Sequence, residues 1–417
     1  ARTSRSRSGA LSLRPFTSTI SFDEARRRLA AAAAPIERVE RVPLGAAAWR
    51  VAARDIVSAI DVPPFARSAM DGYAVVAADT ARANASPVRL RIVERIYTGR
   101  PPSTSVTHGA CAEIATGAPM PDGADAVVMV EQTSPAGEGL VEIRTAALPG
   151  QNIGRRGADI AAGAVVLREG EVINPGRLGA VAAIGCSELD VYAKPRVAVL
   201  STGNEVVEPG AALSPGQIFD VNRYTLASIV DAHGGIADPR CPAEDSMAAL
   251  GAALDACADA DLVVFSGGSS VGERDLIVDL IAARGEMVFH GVAVKPGKPT
   301  GFAFVDVGGR RVPFFAMPGN PTSCLSNAYV LLVPFLRTIA RLPELVDRIV
   351  RLRLGRRIES QAGRLQFYTV RVENGEAIPT FKGSGEITSL SKADGYIQIP
   401  PDQAVIEEGS VVDVTLF

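Results

Sequence analysis

The sequence predicts a multidomain α/β plus β protein. Its parts are a doubly wound, mostly parallel α/β domain, a separate β-rich domain, and a small C-terminal β-barrel or sandwich. Three observations predict this. First, 417 residues exceed the roughly 250–300 that one core serves, so two to four domains are expected. Second, between residues 195 and 342 continuous apolar strand runs alternate with helical stretches, the pattern of a parallel sheet covered on both faces. Third, 40 glycines and 28 prolines without a collagen-like period cut the remaining chain into short strands and turns.

Residues 1–19 hold Arg2, Arg5, Arg7 and Arg14 among serines and no acid. Organelle transit peptides share this composition, but no amphipathic face is evident and a disordered leader is the expectation. Ser21-Phe-Asp-Glu24 forms a capping box that opens a helix through Ala34. Residues 20–61 and 160–194 are read together as a discontinuous linking domain, in which Asn174-Pro175 caps a short helix running to Ile184. Residues 62–159 form the β-rich domain, with strands expected over Val88–Glu94, Ala126–Glu131 and Leu140–Arg144. The α/β domain spans 195–342. Its strands are Val197–Ser201, Leu262–Phe265, Gly301–Val305 and Val312–Ala316. Its helices run from about Arg223 to Ala232, Ser246 to Cys257, Asp275 to Ala283 and Thr322 to Leu336. Residues 343–417 alternate again, in Arg351–Leu354, Tyr368–Val372 and Val411–Leu416.

Composition narrows the chemistry. Hydrophobic residues at 47% and charged residues at 21% exclude wholesale disorder. A net charge of −3 argues against a global grip on nucleic acid or anionic membrane. No uncharged apolar run reaches about 18 residues, so no transmembrane helix is expected. Five scattered cysteines, none in a C-x-x-C pair, fit reduced thiols in a cytosolic compartment better than a disulfide framework or a zinc site. Three histidines at no ligand spacing exclude a histidine-rich metal centre. Carboxylates, lysines, hydroxyls and backbone amides must therefore carry the work.

Those groups concentrate in the α/β segment. Three glycine-rich loops each follow an apolar strand: Ser201-Thr-Gly-Asn-Glu205, Ser266-Gly267-Gly268-Ser269-Ser270-Val-Gly272, and Met317-Pro318-Gly-Asn320-Pro321-Thr-Ser323. Glycines let backbone N–H groups face a ligand. Helix starts behind the second and third loops favour anions by about 0.3–1 kcal/mol each. Lys295-Pro-Gly-Lys298-Pro299 adds two point charges beside the same strand ends, where open α/β sheets bind ligands. Together they describe an oxyanion or phosphate cradle. Gly291 to Lys298 resembles a P-loop, but its glycine spacing is one too long and Pro299 replaces the Mg²⁺-binding hydroxyl, so a Walker ATPase is rejected. Glu205, Asp220, Asp245 and Asp275 surround the cradle. Asp245 and Asp275 stand at helix starts, where capping is the simpler role. Glu205 and Asp275 are the stronger Mg²⁺ candidates. Gly268 to Gly272 also matches a nucleophile elbow, which makes a serine hydrolase using Ser270, His290 and Asp279 the competing enzyme. Outside this domain three compact turns stand out: Pro64 to Tyr73 with Asp71, Thr116 to Pro121, and Asn152 to Asp159, whose Arg155 and Arg156 form a potential phosphate clamp.

Taken together the motifs SAMDGYAV, TGAPMPDGADAVV, RRGADI, STGNEV, GQIFDVN, SGGSSVGERD, KPGKPTGFAF, MPGNPTS and GSGEITSLSKADGYIQIP, in this order from Ser21 to Phe417, closely resemble the molybdopterin molybdenumtransferase family (MoeA and the gephyrin E domain). The resemblance implies a four-part architecture with a molybdopterin-binding α/β domain and a C-terminal β-barrel. It implies a cytoplasmic homodimer with an active site shared between subunits. The implied activity is Mg²⁺-dependent insertion of molybdate into adenylylated molybdopterin with loss of AMP, and a molybdopterin adenylyltransferase is the implied partner. The family's functional acids correspond to Glu205, Asp245, Asp275 and Asp159, its threonine to Thr116, its lysines to Lys295 and Lys298, and its prolines to Pro318 and Pro321. Three departures stand out. Ala66-Arg67 replaces a frequent Asp-Asn pair, Gly154 stands where a third arginine is common, and Gly291 occupies an often basic position. They bear on pterin contacts and on the choice between molybdate and tungstate. A non-catalytic molybdopterin-binding scaffold on the same fold is the alternative.

Overall fold

The computed structural model describes residues 19–267 and 276–417. The described residues divide into two compact units, one formed by Val39–Val191 and a larger one by residues 19–38 together with those from Tyr192 to Phe417.

In the larger unit six strands build one sheet. They are β1 (Arg196–Ser201), β2 (Ile236–Pro239), β3 (Leu262–Ser266), β4 (Gly285–His290), β5 (Gly301–Val307) and β6 (Arg310–Met317), laid side by side as β2-β1-β3-β6-β5-β4. The β2-β1, β1-β3 and β3-β6 pairs are parallel, and β6-β5 and β5-β4 are antiparallel. The sheet is thus parallel up to β6 and then turns. The cause is Gly308-Gly309, both at positive φ, which close β5 onto β6 as a tight hairpin. A Gly-Gly pair between two apolar runs is a hairpin signal, and it overrides the simple alternation read from the sequence. Edge strand β4 had no expectation, because its Gly-Glu-Met-Val-Phe-His run is too short and mixed to show a period.

Six helical segments flank the sheet: α1 (Phe22–Ala32), α2 (Asn222–Ala232), α3 (Met247–Asp255), α4 (Leu276–Arg284), α5 (Pro321–Asn327) and α6 (Val333–Ile339). Alternation along the strands sorts the core into two layers. Val197, Val199, Leu262, Val264 and Phe315 pack with α1, α2, α5 and α6, whereas Ala198, Leu200, Val263, Phe265 and Phe314 pack with α3 and α4. Strands apolar on both faces are what a doubly covered sheet requires. Each fully buried Val, Leu or Phe is worth about 1.5–3 kcal/mol.

Ser21 caps α1 by accepting the Glu24 N–H at 3.2 Å, as the capping box predicts. The reciprocal half is replaced, since the Glu24 carboxylate pairs with Arg27 and Arg28. The helix buries Ala25 and Leu29 in the α/β core, so residues 19–38 pack with the larger unit instead of the linking segment expected for residues 20–61. The single helix expected over Thr322–Leu336 contains a π turn at Ala328–Leu332 between α5 and α6. Pro334 has no N–H for the carbonyl four residues back and its ring crowds that position, which the wider turn relieves.

The C-terminal region resolves to a barrel. Strands β7 (Arg348–Leu354), β8 (Leu365–Glu373), β9 (Glu376–Pro379), β10 (Gly395–Ile399) and β11 (Val411–Leu416) follow the order β8-β9-β7-β11-β10, and β10 pairs back with β8 to close the ring. Val294–Lys295 adds to the outside of β8, with Lys295 opposite Gln366.

The smaller unit holds a six-stranded sheet. The expected strands appear as Val88–Ile96, Ala126–Met129 and Leu140–Ile143, and Gly72–Val75, Ala110–Ile114 and Thr133–Pro135 complete it. Asn174 caps the helix Pro175–Ala183 by accepting the Arg177 N–H at 2.9 Å.

No helix among the described residues is long and apolar enough to cross a membrane. All five cysteines are unpaired. Burial pushes Cys111 and Cys324 up to about 12 and Cys257 up to about 11, so these thiols stay protonated at pH 8. A thiol reagent at pH 8 should therefore label exposed Cys241 on the native protein and reach these three only after unfolding. Peptide mapping of native label on Cys324 would contradict the packing described.

Candidate active site at the carboxyl edge of the sheet

Strands β1, β3 and β6 end side by side, so the loops that leave them meet. Thr202 donates its N–H to Ser266 O at 3.0 Å, and Gly267 donates to Met317 O at 3.4 Å. A Cβ on Gly319 would stand 3.5 Å from Gly267 Cα. Asn222, in the first turn of α2, ties the second loop to the third. Its side-chain amide donates to Ser266 Oγ and to Gly319 O, both at 2.7 Å. Ser266 Oγ in turn donates to Pro318 O at 3.4 Å. Three loops read separately from the sequence thus form one edge. Gly268, Ser269, Ser270 and Asp275 lie outside the described residues.

The acids of this edge divide by environment. Asp220 is 4% exposed and fully engaged. It accepts from Ser201 Oγ at 2.5 Å and from the Arg223 N–H at 3.1 Å, and its carboxylate lies 3.3 Å from Arg223 Nε. Arg223 also pairs with Glu208 and donates to Arg240 O. This pair pins the stretch between β1 and α2 and commits Asp220 to a structural role. Asp245 is half-buried and does not cap α3, because Ser246 accepts the Ala249 N–H at 3.2 Å. Its carboxylate instead accepts the Thr202 hydroxyl, and its own N–H reaches Asn204 Oδ1 at 3.2 Å. Glu205 is exposed, with its carboxylate folded back over Gly203, where a Cβ would meet Glu205 Oε2 at 2.8 Å.

The third loop corrects one expectation. The helix start behind Pro321 is not open to an anion. Thr322 and Ser323 donate their N–H groups to Ser384 O at 3.0 and 3.3 Å, and Thr322 Oγ1 donates to Glu386 O at 2.7 Å. Asn320 Nδ2 donates to Ser384 Oγ at 3.1 Å. The barrel loop around Ser384 thus supplies the cap that a free helix end lacks. Only the fold shows this, since more than sixty residues separate the partners.

The lysine turn stands against α5. Lys295 and Lys298 are half-buried, and the Lys295–Pro296 peptide is cis. Between the lysines, Gly297 O accepts from Asn327 Nδ2 at 2.8 Å, from Thr300 Oγ1 at 2.9 Å and from Thr300 N–H at 3.2 Å. Lys298 O accepts the Val292 N–H at 2.9 Å.

In the smaller unit the three compact turns also come together. Asp71 Oδ1 accepts the Thr116 N–H at 2.7 Å, and Ala69 donates to Asn152 O at 2.9 Å. Arg67 pairs in register with Gly154 and bridges to Pro119, so two of the sequence departures are cross-strand neighbours. Asp71, Thr116, Arg155 and Asp159 are exposed. Arg156 is not a free clamp, because Asp61 holds its Nε at 2.7 Å and stays below the usual carboxylate range, chiefly through the Ala162 N–H and then through that guanidinium. Among the described residues Arg155 has no acidic partner.

Thr202, Asn222, Asn327 and Ser384 are the positioning groups that residue-by-residue reading missed. Thr202, Asn222 and Ser384 sit inside motifs quoted above, but nothing in the strings tells which loop each one reaches. Among the described residues no three His, Cys, Asp or Glu side chains gather as a metal centre.

An open α/β sheet with glycine loops at its carboxyl edge, a paired-lysine turn and a closed barrel capping one loop has the architecture in which α/β proteins bind small ligands. Family models extend this along the chain. The MoeA N-terminal region (domain I and II) matches residues 20–185, a probable molybdopterin binding domain matches 198–338, and the MoeA C-terminal region (domain IV) matches 351–417. Molybdopterin molybdenumtransferase 2 of Mycobacterium tuberculosis is 37% identical over 384 residues, covering 89% of this chain and 94% of that protein. The molybdopterin molybdenumtransferase of Haemophilus influenzae is 31% identical over 409 residues, covering 95% and 98%. A solved molybdopterin biosynthesis MoeA protein from Pyrococcus horikoshii superposes with a TM-score of 0.81 at 37% identity, covering 96% of this chain and 99% of that one. The chain belongs to the molybdopterin molybdenumtransferase family, enzymes of molybdenum cofactor biosynthesis.

Proposed function

We propose that this enzyme inserts molybdate into the dithiolene of adenylylated molybdopterin and releases AMP in a Mg²⁺-dependent step. The observation that supports this best is the meeting of three loops at one sheet edge beside a turn carrying two ammonium groups. Molybdate is a tetrahedral dianion, and Lys295 and Lys298 supply matching point charges in a partly desolvated turn, where they act more strongly than in water. Gly267 lets the backbone approach the substrate closely, and its neighbours Gly268 and Ser269 are assigned to supply amides and a hydroxyl. Pro318, Asn320, Pro321 and Ser323 shape the third loop as its other wall. Thr202 orients Asp245 by donating to it. Holding the dithiolene against molybdate is the main source of rate, worth about 7–11 kcal/mol in favourable cases. Asp71, Thr116, Arg155 and Asp159 are assigned to the substrate as well, and Arg156 keeps only its terminal nitrogens for it while Asp61 holds Nε.

Carboxylates with room for water suit Mg²⁺, which keeps several waters and needs only one or two protein oxygens. Exposed Glu205 fits that donor set, and Asp275 is its proposed companion. When bound, the ion offsets negative charge on the pyrophosphate as AMP leaves. Asp220 is excluded from this role by its pairing with Arg223.

The direct test is release of AMP on adding molybdate to the enzyme loaded with adenylylated molybdopterin, with and without Mg²⁺. A protein that binds the pterin but releases no AMP would be the non-catalytic scaffold. Lys298→Ala should weaken oxyanion binding by about tenfold, the effect of one lost charge contact, while pterin affinity changes little. Calorimetry showing the reverse reassigns the turn. We read the protein as a cytoplasmic homodimer, which sedimentation of the purified chain checks.

A further inference from the structure

The lysine turn is fixed from behind by a residue that no substrate reaches. Asn327, in the last turn of α5, is 0% exposed. Its Nδ2 donates to Gly297 O at 2.8 Å and to Thr300 Oγ1 at 2.5 Å. The Thr300 hydroxyl passes its own hydrogen to the same Gly297 carbonyl, and Thr300 is likewise 0% exposed. The approach is close, since a Cβ on Gly297 would lie 2.2 Å from Asn327 Nδ2. Gly297 directly precedes Lys298, with Pro296 between it and Lys295, and the chain leaves Lys298 through Pro299 directly into Thr300.

We propose that Asn327 is a positioning residue for oxyanion binding: through Gly297 and Thr300 it locks the turn that sets the spacing and direction of Lys295 and Lys298. The inference rests on the reading of those lysines as the oxyanion contacts. Two ammonium groups repel each other, and a turn free to flex would spread them. A carbonyl held by three donors inside the turn removes that freedom before the ligand arrives, so the dianion meets a preorganised pair. The buried Asn327 Oδ1 has no hydrogen-bond partner among the described residues, so the side chain is held there by its two donations.

The test separates hydrogen bonding from packing. Leucine has the branching of asparagine, larger terminal groups and no donors, so Asn327→Leu deletes the clamp, and Thr300→Val, which adds almost no bulk, is the control for packing. On the full chain, amide exchange of the 292–300 segment should accelerate, the melting temperature should move by only a few degrees, and molybdate should bind about tenfold more weakly by calorimetry. In a background lacking both ammonium groups, Lys295→Ala with Lys298→Ala, the same substitution should cost little further affinity, because the clamp acts only through those two side chains. Thr300→Val, which takes away the hydroxyl partner, should show the same signature at smaller size and serves if Asn327→Leu fails to fold. Wild-type affinity in a variant whose turn exchanges faster overturns the inference while leaving the lysine assignment intact. A full additive loss in the background lacking both lysines also overturns it. A wild-type chain that takes up no molybdate removes the reading of the site and this inference with it.

Discussion

Asp220→Ala should destabilise the larger unit by about 3 kcal/mol or more, the largest loss expected from any single acid at the candidate site. Its carboxylate and the Arg223 guanidinium have side chains only 2% and 6% exposed. Removing one member of a buried pair leaves the other charge without its counterpart and typically costs about 3–5 kcal/mol. The same carboxylate receives the Ser201 hydroxyl and the Arg223 N–H, so alanine also strands two donors. Glu208 still faces Arg223, which keeps the expected cost near the lower end of that range. Urea unfolding followed by circular dichroism measures it. Asp220→Asn should fall between the two, since it keeps acceptor capacity and loses charge. A shift under about 1 kcal/mol for alanine would falsify the anchoring role and return Asp220 to the list of metal candidates.

Gly267→Ala should have the largest catalytic effect among the described residues. Gly267 has φ of +105°, and a Cβ there would stand 2.3 Å from the Thr202 carbonyl oxygen. Both the backbone angle and the contact with another backbone atom oppose any side chain. The loop must move, and it is the loop that joins β3 to the rest of the cradle. A displacement near 1 Å costs about 100-fold where geometry supplies the rate, so kcat/KM for AMP release should drop by about that factor. The core behind the loop is untouched, and the melting temperature should fall by only a few degrees. Wild-type kcat/KM in this variant would mean that the first two loops do not form a common wall.

These two positions show how unevenly the site was legible in the sequence. Gly267 stands out as a glycine directly after an apolar strand, a local signal that needs no partner. Asp220 looks like any other acid near the cradle, and its role depends on a buried arginine three residues on that the string cannot mark as buried. Asp245 reads as a helix cap until its neighbour Ser246 is seen to do the capping. Arg156 reads as a phosphate clamp until Asp61, ninety-five residues earlier, is found on it. The third loop reads as an open helix end until the barrel loop around Ser384 closes it.

The strands β1, β3 and β6, the helices that alternate with them and the cap of α1 follow from the sequence alone. Apolar runs, periodicity and capping side chains act within a few residues, and a string displays such neighbours directly. The family was also within reach, because nine motifs in one order constrain the chain jointly. What only the tertiary structure decided is which distant groups meet: the antiparallel turn of the sheet at β5, the π turn ahead of Pro334, the closure of the barrel, and the partners of Asp220, Asn222, Asn327 and Ser384. Those outcomes depend on hydrogen bonds and charge pairs between residues far apart in the chain. Their energies exist only once the packed core has brought the partners within about 3 Å and removed competing water.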